Sequence, residues 1–172
     1  MIQALGDRIL KVDHAGEHGA VNIYRAQILV SRITAPELTA TLREFIAHEQ
    51  RHRALFWNRM QSRAVRRCRS YPLCGLGGYL LGFLTALLGR QAIVATTFAV
   101  ESVVLGHLEK QLVALKDGDP EAYATVLDIV EEEREHHDHG KRLMEAGRFW
   151  PWLITPVVRF STETVIWLGM RL

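Results

Sequence analysis

The chain has 172 residues, 48% hydrophobic and 23% charged, which is long enough to bury a core and too apolar for a disordered segment. Lys plus Arg number 21 against 19 Asp plus Glu, so the net charge of +2 gives no bulk attraction for nucleic acid. Two cysteines, Cys68 and Cys74, are too few for a disulfide scaffold or a cysteine-based zinc site, whereas most of the eight histidines stand beside carboxylates.

Residues Met1 to Lys11 carry Asp7 and Arg8 and no long apolar run, so neither a secretory signal nor an acid-poor transit peptide is expected there. The five prolines cut the chain into long pieces that read as helices, and no stretch alternates like a strand. The spacing predicts five main helices over about 5–32, 36–64, 90–116, 120–146 and 152–170, with a short apolar helix within about 75–88. Thr34-Ala35-Pro36-Glu37 reads as a helix start with a threonine cap, and Asp119-Pro120-Glu121 as another. Gly147 and Pro151 are expected to end the fourth main helix. The architecture these elements suggest is all-α, one domain over residues 1–172.

Ser70 to Gly89 carries no charge and is about long enough to cross a bilayer. Pro72 and five glycines argue against a spanning helix, so a re-entrant or surface-lying segment is expected, with a buried helix as the alternative. Arg59, Arg63, Arg66, Arg67 and Arg69 precede it; they suit anionic headgroups or, equally, a solvated helix end. The last helix, with Trp150, Trp152, Phe160 and Trp167, is also more apolar than a surface helix needs.

The apolar stripes carry the chemistry. Leu10, His14, Glu17, Val21, Tyr24 and Ile28 form the first; Leu38, Leu42, Phe45, Glu49, His52 and Phe56 the second. Val94, Phe98, Glu101, Leu105 and Leu108 form the third; Val126, Val130, Glu133, His137 and Met144 the fourth, with Ile129, His136 and Leu143 beside it. Each stripe holds a glutamate where a leucine is expected. A buried carboxylate must be paired, protonated or metal-bound, and these stripes offer almost no Lys or Arg.

Glu49 and His52 share an i, i+3 spacing, as do Glu133 and His136; Glu17 precedes Glu49, and Glu101 precedes Glu133, by 32 residues. Two helical hairpins with this doubled pattern would bring four glutamates and two histidines together, the donor set of a carboxylate-bridged dinuclear site, suited to iron or manganese. Glu132/His136 and Glu135/His139 are the competing i, i+4 registers. His14, His18 and His48 read as neighbours of ligands or surface residues, His107 as a group that hydrogen-bonds a ligand or substrate, and Tyr24 and Tyr123 as core.

The segments Asp7 to Ala20 (DRILKVDHAGEHGA), His48-Glu49-Gln50-Arg51-His52, Ala99-Val100-Glu101 and Glu132 to Asp138 (EEREHHD) resemble the demethoxyubiquinone hydroxylase family, from about residue 5 to the end. Gly82 and Thr85 to Gly89 are similar to its apolar segment before the third metal helix. His18 departs from the tyrosine, and Ser102 from the second acid, that many members carry. The resemblance implies a ferritin-like four-helix bundle with added apolar membrane-associating helices. It implies a di-iron monooxygenase that hydroxylates a demethoxyubiquinol with O2. The implied metal ligands are Glu17, Glu49, His52, Glu101, Glu133 and His136, and His107 matches a family histidine near the site.

The resemblance also implies two iron ions per chain, NADH as electron source, a long-tailed quinone substrate and a membrane surface as partner. Peripheral attachment is expected on the cytoplasmic face of a bacterial inner membrane, or the matrix side of the mitochondrial inner membrane. A lipid-binding or quinone-biosynthesis protein and a second copy of the chain are compatible partner classes that no motif names. The rival readings are another di-iron oxidase (quinol oxidase, desaturase or ferroxidase) and a helical scaffold with structural metal.

Overall fold

The computed structural model describes residues 2–144 and 149–172, and every described element is helical. The helices are α1 (Ile2–Thr34), α2 (Thr39–Ser62), α3 (Tyr71–Leu87), α4 (Arg90–Leu115), α5 (Pro120–Met144) and α6 (Phe149–Gly169), with one 3-10 turn at Pro36–Leu38. The expected helices are all present. Pro151 starts rather than stops a helix: it lies in the first turn of α6, where a missing N–H costs nothing. Gly147 lies outside the described residues.

Thr34 is not the cap of the second helix. It is the last residue of α1, and its hydroxyl donates to the carbonyl of Ala86 at 2.8 Å, tying α1 to the end of α3. Pro36 opens the 3-10 turn instead and α2 begins at Thr39. Asp119 does cap α5: its Oδ1 accepts from the Ala122 backbone N–H at 3.1 Å.

Helices α1 and α2 form one antiparallel hairpin and α4 and α5 another, with α2 packed on α5. Two apolar layers close the ends of this bundle. Leu10, Phe56, Met60, Leu108, Leu115 and Ile129 fill one end; Tyr24, Leu42, Phe45, Ile93 and Val94 fill the other. The glutamate-bearing turns of all four helices fall between the layers, because each stripe passes from one layer to the other through its glutamate.

Helix α3 lies along α1. A Cβ on Gly78 or Gly82 would run into the α1 backbone at Gly19 or Ile23, so the glycines of this stretch are the contact surface itself. The opposite face of α3 exposes Leu73, Leu76, Leu80, Leu84 and Leu87. The segment is thus neither buried nor spanning: its 17 residues rise only about 26 Å, less than a hydrocarbon core. Gly89, at φ +86°, makes the turn into α4. Helix α4 alone among the described helices is long and apolar enough to cross a membrane, but 67% of its apolar stretch is buried in the bundle.

Helix α6 packs on α4 and leaves Trp152, Val157, Phe160 and Trp167 exposed. The five arginines before α3 divide. Arg63 is half-buried and binds Asp119 through two nitrogens at 2.8 and 3.0 Å, with Asp7 at 3.0 Å. Arg59 reaches Thr125 and Glu121. Arg67 stacks over Trp57 and Tyr71, while Arg66 and Arg69 face solvent.

Candidate metal centre

The six residues singled out by spacing converge. Glu17, Glu49, His52 and Glu133 form one group, and Glu49, Glu101, Glu133 and His136 a second, the donor atoms of each lying within 4.8 Å of one another. Glu49 and Glu133 belong to both groups. All six residues are 5% exposed or less. Glu132 and Glu135, from the competing registers, are part-exposed and exposed, so the i, i+3 register is the one that turns inward.

The two histidines cross between hairpins. His52 Nδ1 lies 2.7 Å from Glu133 Oε1, and His136 Nδ1 lies 3.2 Å from Glu49 Oε1. Neither approach is aligned as a hydrogen bond, and all four of these atoms are buried without a hydrogen-bond partner. The outward nitrogens are engaged. His52 Nε2 lies 2.9 Å from Glu132 Oε2, itself bound by Arg51, and His136 Nε2 lies 3.0 Å from His48 Nδ1. Both Nδ1 atoms are thereby left to face the carboxylates.

No described Lys or Arg contacts the four glutamates. Burial, followed by the charges of Glu49 and Glu133, pushes Glu17 well above the usual carboxylate range. Burial and the charges of Glu133 and Glu49 do the same to Glu101, and burial with the Glu49 charge to Glu133. Burial would raise Glu49 too, but its close contacts with His136 and Glu17 outweigh it and hold this carboxyl low. Burial depresses His52 to about 4. For His136 burial is outweighed by its contact with Glu49, and the ring is held above its ordinary value. Four buried carboxyls beside two imidazoles with unpartnered nitrogens are a donor set that divalent cations satisfy.

Sequence reasoning assigned Tyr24 to the core and missed its contact. The ring is buried against Phe45, but its hydroxyl donates to Glu101 Oε1 at 2.7 Å. The signal was its place on the Glu17 stripe, two turns on. His48 is the expected neighbour of a candidate ligand. His14 is buried and stacked between Trp57 and Tyr71, and His18 stacks on Tyr71 at 4.0 Å. His107 does not bond any of the six. It pairs with Glu163 of α6 at 2.8 Å and lines a cavity.

That cavity, about 390 Å³, runs between α1, α3, α4 and α6 and ends on Glu17, Glu49, Glu101 and Glu133. Its wall is mostly aliphatic, including Ile23, Leu73, Leu81, Val104, Val157 and Ile166. Asp13 is a polar exception. Gln111 donates to its Oδ1 at 3.0 Å while Oδ2 is buried without a partner, and burial pushes the carboxyl up to about 7 against the Gln111 bond.

Residues 4–169 match the family model described as "Ubiquinone biosynthesis protein COQ7". The chain is 40% identical over 170 residues to the 3-demethoxyubiquinol 3-hydroxylase of Rhodospirillum rubrum, covering 98% of this chain and 79% of that one. It is 34% identical over 172 residues to the mitochondrial NADPH-dependent 3-demethoxyubiquinone 3-hydroxylase of Dictyostelium discoideum, covering 96% and 76%. The mouse protein of the same name is 37% identical over 163 residues, covering 84% and 74%. The reductant in these eukaryotic names is NADPH, where the resemblance had implied NADH. The chain belongs to the COQ7 family of ubiquinone biosynthesis proteins.

Proposed function

We propose that the chain is the oxygen-dependent ring hydroxylase of ubiquinone biosynthesis that converts a demethoxyubiquinol to its hydroxylated product. Its scaffold is read as a ferritin-like four-helix bundle with two added apolar helices. The observation that carries this reading is a largely aliphatic cavity ending on four buried glutamates. Such a wall suits an apolar ring and tail, and such an end suits cations.

Glu17, Glu49, His52, Glu101, Glu133 and His136 would hold two iron ions, Glu49 and Glu133 belonging to both donor groups. When bound, a ferrous pair supplies the activation of O2, one oxygen atom ending on the ring and the other in water. The remaining roles belong to the chain. Glu132 and His48 fix the rings of His52 and His136 by holding their Nε2 atoms. Tyr24 keeps one oxygen of Glu101 in place. The aliphatic wall excludes water and seats the ring, while the quinone tail leaves between α3 and α6. The two electrons come from a reduced nicotinamide dinucleotide, through a partner or through the quinone itself.

The exposed apolar rows of α3 and α6, with Arg66 and Arg69 nearby in sequence, support peripheral attachment to a membrane. The cytoplasmic face of a bacterial inner membrane, or the matrix side of the mitochondrial one, is the setting proposed.

The test is mass. Iron-loaded protein is given a short-tailed demethoxyubiquinol, a reductant and ¹⁸O₂, and the product is weighed. One ¹⁸O on the ring is expected, absent with Glu49→Ala. Gly77→Phe should reduce turnover at least tenfold with iron retained, because Gly77 lines the cavity and a Cβ there meets nothing within 4 Å. Oxygen consumption with an unlabelled ring would instead assign a quinol oxidase.

A further inference from the structure

The cavity wall offers a ring little polar chemistry outside the candidate ligands. His107 is engaged by Glu163. Ser161 and Thr162 donate their hydroxyls to the Val158 carbonyl, and Asp13 differs in being a carboxyl with one buried oxygen that no group partners. It sits on α1 one turn before Glu17, a rise of about 6 Å. Gln111 occupies Oδ1, and Oδ2 is buried with no partner among the described residues. A buried acceptor left unpaired is costly, and a carboxylate can only accept.

We propose that Asp13 Oδ2 accepts a hydrogen bond from a ring hydroxyl of the quinol, so that the cavity selects the quinol over the quinone. This rests on the reading that the cavity seats the ring. A quinol presents O–H donors to the carboxylate. A quinone presents only carbonyl oxygens, and two acceptors facing each other in an apolar wall repel. On a ring with polyprenyl, methyl and methoxy substituents, the one carbon still bearing hydrogen stands between the methoxy group and a hydroxyl. Holding that hydroxyl one turn from Glu17 turns the reacting carbon toward the glutamate cluster. The contact also draws on the hydroxyl proton, which raises electron density at the neighbouring carbon. Asp13 is thus assigned to substrate recognition, with Gln111 as the positioning residue that leaves Oδ2 free.

Binding decides it. Protein loaded with manganese(II) is titrated under argon at pH 8 with a short-tailed demethoxyubiquinol and, separately, its quinone, following tryptophan fluorescence. The wild type is expected to bind the quinol at least tenfold more tightly. Asp13→Asn, which can also donate, should bring the two within about threefold without lowering metal content or Tm. A control needs no variant: the quinol methylated on both oxygens cannot donate and should bind the wild type as weakly as the quinone. Equal wild-type affinity for quinol and ether, or an unchanged preference in Asp13→Asn, overturns the assignment and leaves the cavity reading standing. Binding of neither ring, or binding that Gly77→Phe does not weaken, overturns both.

Discussion

Glutamate in a bundle core is tolerable only with a proton or a cation, and burial pushes Glu17, Glu101 and Glu133 toward the proton when no cation is there. That choice has a measurable slope. Each of these carboxyls is raised above its ordinary value in the fold, so the folded state keeps protons that the unfolded chain has released. Their contribution to stability is present below about 4.5 and is lost as pH rises through the folded values. Asp13, raised to about 7, and His136, also raised, act with the same sign. His52 and His14, depressed to about 4, act oppositely, but only as pH falls below about 6.5, where the unfolded rings take up protons. From pH 6.5 to 8 the signs agree. The chelator-stripped protein is expected to lose Tm across that window, at up to about 1.4 kcal/mol for each unit a group titrates through. Metal binding displaces those protons, so the Tm gained on adding ferrous iron should grow over the same range. Calorimetry at three pH values checks both slopes, and a stripped protein that gains Tm from pH 6.5 to 8 would refute the protonated cluster.

At the scale of elements, α3 is held by the absence of side chains. Gly82→Leu would drive a side chain into the α1 backbone at Ile23, where nothing flexible can yield. Destabilisation beyond the usual overpacking cost of about 1–3 kcal/mol is expected, read by urea unfolding. Gly77→Ala, five residues earlier where a Cβ meets only open space, should be neutral or gain up to about 1 kcal/mol from helix propensity. This is also where sequence reading ran out. The helices that carry Glu17, Glu49, Glu101 and Glu133 were legible because polar residues interrupt a 3.6-residue apolar period. Segment 71–87 is apolar all round, so no period marks its inner face, and its contact side is defined by small size alone. Partners remote in sequence were equally hidden. Arg59 and Arg63 look like Arg66 and Arg69 until Thr125 and Asp119 arrive from 66 and 56 residues away. Tyr24 looks like core until Glu101, 77 residues on, meets its hydroxyl.

The whole molecule is polarised. Four glutamates and two histidines are gathered inside the bundle, whereas α3 and α6, on either side of the cavity, turn leucine, phenylalanine and tryptophan outward. Leu76, Leu80 and Leu84 form one row on α3, each more than half exposed, and Trp152 and Phe160 are exposed by about three quarters on α6. A soluble chain gains nothing from such a face, whereas a bilayer interface buries it at about 25 cal/mol per Å². If this face is the proposed seat on the membrane, two charges should unseat it without touching the fold. Leu80→Glu with Phe160→Glu should lower co-sedimentation with anionic vesicles at least tenfold and leave stability within about 0.5 kcal/mol for each exposed site. Turnover of a water-soluble short-tailed quinol should be kept, and turnover of a long-tailed quinol delivered in vesicles lost. Residual binding should weaken with salt through Arg66 and Arg69, whose side chains face solvent. Vesicle binding equal to the wild type would move the seat elsewhere. Loss of short-tail turnover as well would show that α3 and α6 shape the cavity itself, because Leu81 and Val157 line it within one turn or so of the altered positions.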